Sequence, residues 1–254
     1  MNHNFVKRYF MNYSLTNTNR MKNCIVLLLM GMNLSFAACA SAGEADRFGL
    51  GARLQLSNWK GDNNSSSPDF EASASQLALS LRYQHGRFYS GLSLQGGSFS
   101  FDNGAPAINN KTTTVPVTSV TIDRGEVDLL AGYYFWPQVS LFADIKNVTN
   151  TWRDKGYSTK VTGLGLGITG FTPLPNHWIF YATFGIVPLT IETGSDTIGD
   201  GSGASLELGA TYSIDNHHNL SIGVKSQSQT YNFDNGHKQT HSLGGLTLGY
   251  NYTF

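Results

Sequence analysis

From Phe48 onward, apolar residues recur at every second position. Phe48, Leu50, Ala52, Leu54 and Leu56 alternate with Gly49, Gly51, Arg53, Gln55 and Ser57. Leu77, Leu79, Leu81 and Tyr83 alternate with Gln76, Ala78, Ser80 and Arg82. A period of two places one set on each face of a β-strand. It recurs in Phe88–Leu94, Val127–Phe135, Val139–Ile145, Leu164–Ile168, Trp178–Ile186, Ala204–Ile214, Leu220–Val224 and Leu246–Phe254, which makes ten candidate strands. Eight is the alternative count, if the stretches around Val139 and Leu220 are not strands.

The connections between them take turns. Short ones fall at His85-Gly86-Arg87, Trp136-Pro137-Gln138, Thr172–Asn176 and Asp215–Asn219. Longer polar ones fall at Lys60–Phe70, Asp102–Thr118, Asn147–Gly156, Gly194–Gly203 and Asn232–Gln239. Short turns on one side and long loops on the other predict an all-β fold: a closed antiparallel transmembrane β-barrel with short periplasmic turns and longer extracellular loops. Aromatic residues cluster at both ends of the strands. Tyr83, Phe88, Tyr133, Phe135, Trp136, Phe171, Trp178, Tyr212 and Phe254 sit near the short turns; Trp59, Phe70, Phe99, Phe101, Trp152, Tyr157 and Tyr231 sit near the long loops. This distribution predicts two interfacial girdles.

Composition agrees with that reading. Charged residues are 13% and hydrophobic residues 40%, with 28 glycines, whereas soluble domains carry roughly 25% charge. A soluble β-sandwich, the competing all-β fold, needs more surface charge. Lys plus Arg equals Asp plus Glu at 17 each, so no net field points to nucleic acid as a partner.

The N-terminal segment reads as a targeting signal. Met21-Lys22 precedes an apolar stretch from Cys24 to Phe36, and Ala40-Ser41-Ala42 has the form of a signal-peptidase site. Residues 1–42 are therefore expected to be removed, leaving a barrel domain at 43–254. The stretch is shorter than the ~20 apolar residues that a spanning helix needs. Either Met1 or Met21 is the start. Both cysteines, Cys24 and Cys39, lie in this segment, so the mature chain is expected to have no disulfide or thiolate metal site. Phe36-Ala37-Ala38-Cys39 loosely matches a lipoprotein box, the alternative processing route.

At the other end, Thr247-Leu248-Gly249-Tyr250-Asn251-Tyr252-Thr253-Phe254 resembles the C-terminal β-signal of small Gram-negative outer-membrane β-barrel proteins. Thr247, Gly249, Tyr252 and Phe254 fill its four defined positions. The resemblance implies a location in the outer membrane, the bilayer as partner, and recognition by the barrel assembly machinery. It identifies a class and no particular member.

If the apolar set faces lipid, Arg53, Arg82, Glu126, Asp128, Asp144, Lys146, Glu207 and Lys225 face the lumen. Such charges either pair into a network that holds a narrow barrel shut or line a channel for small solutes; barrels near eight strands are largely filled by side chains. His237 and His241 lie four residues apart near the outer end of the last strand and read as rim residues. Gly244-Gly245 beside them reads as a bulge that changes their face. Asp62, Asp102, Asp196, Asp200 and Asp234 are placed in outer loops, where turn chemistry accounts for them. The loop Asp196–Gly203 lacks the closing Glu of a calcium loop. No catalytic set, cofactor or metal is expected. The expected function is thus a non-enzymatic barrel, either a narrow porin-like channel or a structural one. The alternatives are an enzyme acting on lipid or peptide at the extracellular rim, and an adhesion or ligand-recognition barrel working through the long extracellular loops, among them Asp102–Thr118.

Overall fold

The computed structural model describes residues 46–64 and 69–254. The signal segment 1–42 with its two cysteines, the cleavage site near Gly43 and the choice of start lie outside the described residues. In chain order the strands are β1 (Arg47–Asp62), β2 (Phe70–His85), β3 (Phe88–Phe101), β4 (Ala105–Asn109), β5 (Thr114–Val117), β6 (Val120–Trp136), β7 (Val139–Trp152), β8 (Tyr157–Pro173), β9 (Trp178–Thr193), β10 (Asp196–Ser213), β11 (His218–Phe233) and β12 (Lys238–Thr253). Ten of them close an antiparallel barrel, each paired with its neighbours in sequence once β4 and β5 are set aside, and β12 closes against β1. Strands β4 and β5 form a separate hairpin between β3 and β6.

The lower half of every strand presents its apolar side chains outward. Leu79 is 54% exposed and Leu164 62%, and equivalent Leu, Ile and Val residues ring the barrel at the same height. Lipid is the medium that makes such exposure stable, and the belt on β1 runs nine residues from Phe48 to Leu56, against about 9–11 residues for a tilted spanning strand. Aromatic side chains border the belt at the short turns, among them Phe88, Tyr133, Trp136, Trp178 and Phe254. Phe171, expected in that girdle, points inward instead and is buried.

Barrel strands run from 14 to 18 residues, longer than the belt requires. Above it the outward set turns polar in all ten, and the inward set turns apolar in most of them. On β1 the outward set passes from Leu54 and Leu56 to Asn58 and Lys60, while the inward set passes from Arg53 and Gln55 to Trp59. On β6 it passes outward from Leu129 and Val127 to Asp123 and Thr121, and inward from Asp128 and Glu126 to Ile122 and Val120. The outer portion therefore has the section of a water-soluble barrel, with polar residues outside and an apolar core within.

This inversion overturns the second aromatic girdle. Trp59, Phe70, Phe99, Phe101, Trp152 and Tyr231 are buried inside the barrel, and Tyr157 is half-buried against them. With water rather than lipid outside, apolar rings are stabilised by pointing inward. Three expected outer loops are also half or more strand. Residues 147–152 continue β7, residues 196–203 belong to β10, and the last turn spans only 234–237. Two long outer connections remain, at 63–69 and 102–119. Gly244 and Gly245 pair in unbroken register with both β1 and β11, so no bulge lies there.

At the end with the short turns the chain reverses tightly, and Gly86 adopts a φ of 55° that the absence of a Cβ makes inexpensive. The carboxylate of Asp46 accepts hydrogen bonds from Tyr83 Oη and His85 Nδ1, both at 2.8 Å. These bonds, that of His85 first, hold the Asp46 carboxyl below its usual 3.8. Asp215 accepts from the amides of His217 and His218 at 2.8 Å each and is held low by them.

Candidate functional site

The lumen is the candidate site, and it is filled in three layers. The lowest is apolar and aromatic: Tyr89, Leu130, Tyr134, Phe171 and Tyr181 pack together across the opening at the short-turn end. Tyr89 and Tyr134 rings lie 5.1 Å apart, and Tyr134 meets Phe171 edge-on at 6.3 Å. Glycines paired with two of the tyrosines on the adjacent strands make room for the rings. A Cβ at Gly132 would sit 2.1 Å from Tyr89, and one at Gly209 would sit 2.4 Å from the Tyr181 hydroxyl. Two of the phenols also have a polar partner, Ser140 for Tyr89 (2.9 Å) and Glu207 for Tyr181 (2.8 Å).

The middle layer is charged. Lys146 Nζ lies 2.7 Å from Glu126 and 2.8 Å from Asp128, and Arg124 donates to Glu126 (3.3 Å) and to Asn150 (3.1 Å). Across the lumen Arg53 pairs with Glu207 at 3.3 Å. Lys225 lies opposite Glu207 in register and is 1% exposed; Arg82 is also buried. Asp144 is only partly buried and borders, with Gln227 and Gln229, a cavity of about 30 Å³, room for about one water. All eight charged residues singled out in the sequence therefore point into the barrel. Arg124 belongs with them and was missed; its offset of two from Glu126 on one strand was the available signal.

The outer layer is aromatic again. Trp59 meets Phe99 at 5.1 Å and Phe101 at 5.5 Å, both edge-on, among Phe70, Ile122 and Trp152. Val148, Val161, Leu189, Ile191, Tyr231 and Phe233 fill the other side. The Arg124 guanidinium stands 5.4 Å from the Trp59 ring centre, a cation–π contact joining the middle layer to the outer one. His241 lies within this layer and not on the rim: its Nδ1 accepts from Trp59 Nε1 at 3.2 Å, which places the proton of the neutral ring on Nε2. His237 is likewise turned inward and buried.

Over the mouth lies the β4–β5 hairpin, the expected free loop. It folds down onto the outer layer, with Ala105 and Val117 packed against Trp59, Phe70 and Trp152. Asn235 Nδ2 donates to the carbonyls of Asn110 (3.1 Å) and Thr113 (2.9 Å), and Lys111 pairs with Asp196 at 3.4 Å. Among the described residues no group of three His, Cys, Asp or Glu side chains is arranged to hold a metal ion.

No family model matches the chain, and no curated protein matches it. Solved structures do. The outer membrane protease OmpT of Escherichia coli superposes with a TM-score of 0.52 at 9% identity, covering 83% of this chain and 97% of that one. The β-domain of the Bordetella autotransporter BrkA gives 0.45 at 11% identity, over 82% and 98%. Neisserial surface protein A gives 0.41 at 9% identity, over 82% and 97%. At these identities the likeness, carried by the first of the three, is one of fold: a closed antiparallel β-barrel of the kind found in outer-membrane proteins.

Proposed function

We propose that this chain is a non-enzymatic outer-membrane barrel with no through-channel, a structural element whose working surface is its outer end. The observation that carries the proposal is the stacking of the charged layer between two aromatic ones. A porin-like path along Arg53, Arg82, Glu126, Asp128, Asp144, Lys146, Glu207 and Lys225 needs an opening at each end of that layer, and Tyr134 with Phe171 below and Trp59 with Phe101 above occupy those positions. The ion pairs among Arg53, Glu126, Asp128, Lys146 and Glu207 give those charges a structural role, since a carboxylate or ammonium left unpaired at such depth is strongly destabilising. In the same proposal residues 1–42 direct export and are removed, and the barrel assembly machinery reads Thr247, Gly249, Tyr252 and Phe254. The barrel then sits in the outer membrane of a Gram-negative cell.

Conductance of the refolded protein in a planar bilayer tests the proposal, with insertion verified by heat-modifiable gel mobility. A silent bilayer is the expected result. Steady openings whose ion preference changes in Arg82→Ala or Asp128→Ala would replace it with a charge-lined pore.

A further inference from the structure

The hairpin occupies the barrel mouth in the way a bound peptide occupies a groove. Asn63 Nδ2 donates to the carbonyl of Ala105 (3.0 Å), and its Oδ1 accepts from the amide of Ala107 (3.0 Å). Trp152 Nε1 donates to the carbonyl of Pro106 (3.0 Å), and Gln239 Nε2 to that of Ala107 (3.0 Å). Tyr157 donates its hydroxyl to the carbonyl of Asn109. Four side chains from four parts of the barrel thus grip main-chain groups at 105, 106, 107 and 109. The side chains they enclose are small: Ala105 and Ala107 are both buried, Ala105 against the aromatic floor. Here β4 and β5 pair at only three positions, with a register shift between Ala105 and Ile108, and the main chain of 105–107 is bonded to the barrel instead.

We infer that the mouth is a recognition groove for an extended peptide with small residues flanking a proline, and that the hairpin fills it in cis as a pseudo-ligand. Because the bonds go to the main chain, they recognise an extended backbone of any origin. The snug fit around Ala105 and Ala107 and the lone carbonyl at Pro106 select small–Pro–small. The latch is separate from the grip. Asn235 and the Lys111–Asp196 pair hold the hairpin tip and touch none of the gripping residues. While latched, the hairpin competes at an effective concentration on the order of millimolar, so a peptide in trans is excluded until the latch opens. The inference stands independently of whether the barrel conducts.

The test uses the full mature chain in nanodiscs and a fluorescent synthetic peptide matching residues 103–110. Binding is read by anisotropy for wild type and for the latch variant Asn235→Ala/Lys111→Ala, with folding checked by heat-modifiable mobility. The latch variant is expected to bind the peptide at least about tenfold more tightly than wild type, the tethered competitor having been weakened. A control peptide with leucine at both alanine positions is expected to bind at least about tenfold more weakly, because the enclosed sites have no room for it. Equal weak binding by wild type and the folded latch variant would overturn the inference. So would equal affinity for the two peptides, which would signify adhesion to exposed rings.

Discussion

Glu126 is the residue on which the buried charges converge. It accepts from both Arg124 and Lys146, and its removal leaves two cations facing one remaining carboxylate, Asp128. Truncating one member of such a buried pair costs about 3–5 kcal/mol, so Glu126→Ala should lower stability by that amount. Urea unfolding of the refolded barrel measures it, and a loss under about 1 kcal/mol would show that water relieves the layer. At the periplasmic edge the sign runs through Asp46. Its carboxyl titrates lower folded than unfolded, so its contribution is complete above the usual 3.8 and is lost as the pH falls through the depressed folded value. The protection factors of the amides at Phe48–Gly51, measured against the intrinsic exchange rate at each pH, should therefore fall in acid below 3.8 in the native chain. Asp46→Asn should show the lower protection already at neutral pH and little further acid response; unchanged protection in that variant would remove the Asp46 tie from the account.

At the scale of the strand, the inversion of apolar phase marks where lipid ends. Leu79 and Ser73 both point outward on β2, six residues apart. Leu79→Lys places an ammonium in hydrocarbon and should cost about 2–4 kcal/mol, whereas Ser73→Lys should cost about 0–1 kcal/mol. Equilibrium unfolding from lipid vesicles separates them, and equal costs would mean that the belt continues to the strand ends. The inversion also explains why the strands exceed the lengths legible in the sequence. The alternation of Leu, Ile and Val was plain in the lower halves. In the upper halves Ser, Thr and Asn face out and the apolar set changes parity, so the outward hydrophobic face ends at the boundary and the polar remainder has the local pattern of a loop.

At the scale of the molecule, the barrel is two solvents' worth of structure on one set of strands: a lipid-bathed lower part with a polar interior and a water-bathed upper part with an apolar one. Two aromatic seals in series follow from that arrangement. Opening the lower one alone, in Tyr89→Ala/Tyr134→Ala, should leave conductance at the level of the intact protein, because the outer layer and the hairpin still close the path. Openings in that variant would show the outer layer to be permeable and would shift the seal to the periplasmic tyrosines.

The sequence alone determined the all-β class and the ten strands of the barrel, because both rest on a period of two read locally along one strand. What the interior charges touch, and that Arg124 joins them, depended on register between strands far apart in the chain, as in the contact of Arg53 with Glu207. The direction of the outer aromatics and the docking of the hairpin were likewise decided by tertiary structure. Trp59 or Phe99 beside a loop is equally compatible with a girdle and a core, and only the closed barrel, with water outside and an empty axis to fill, selects between them.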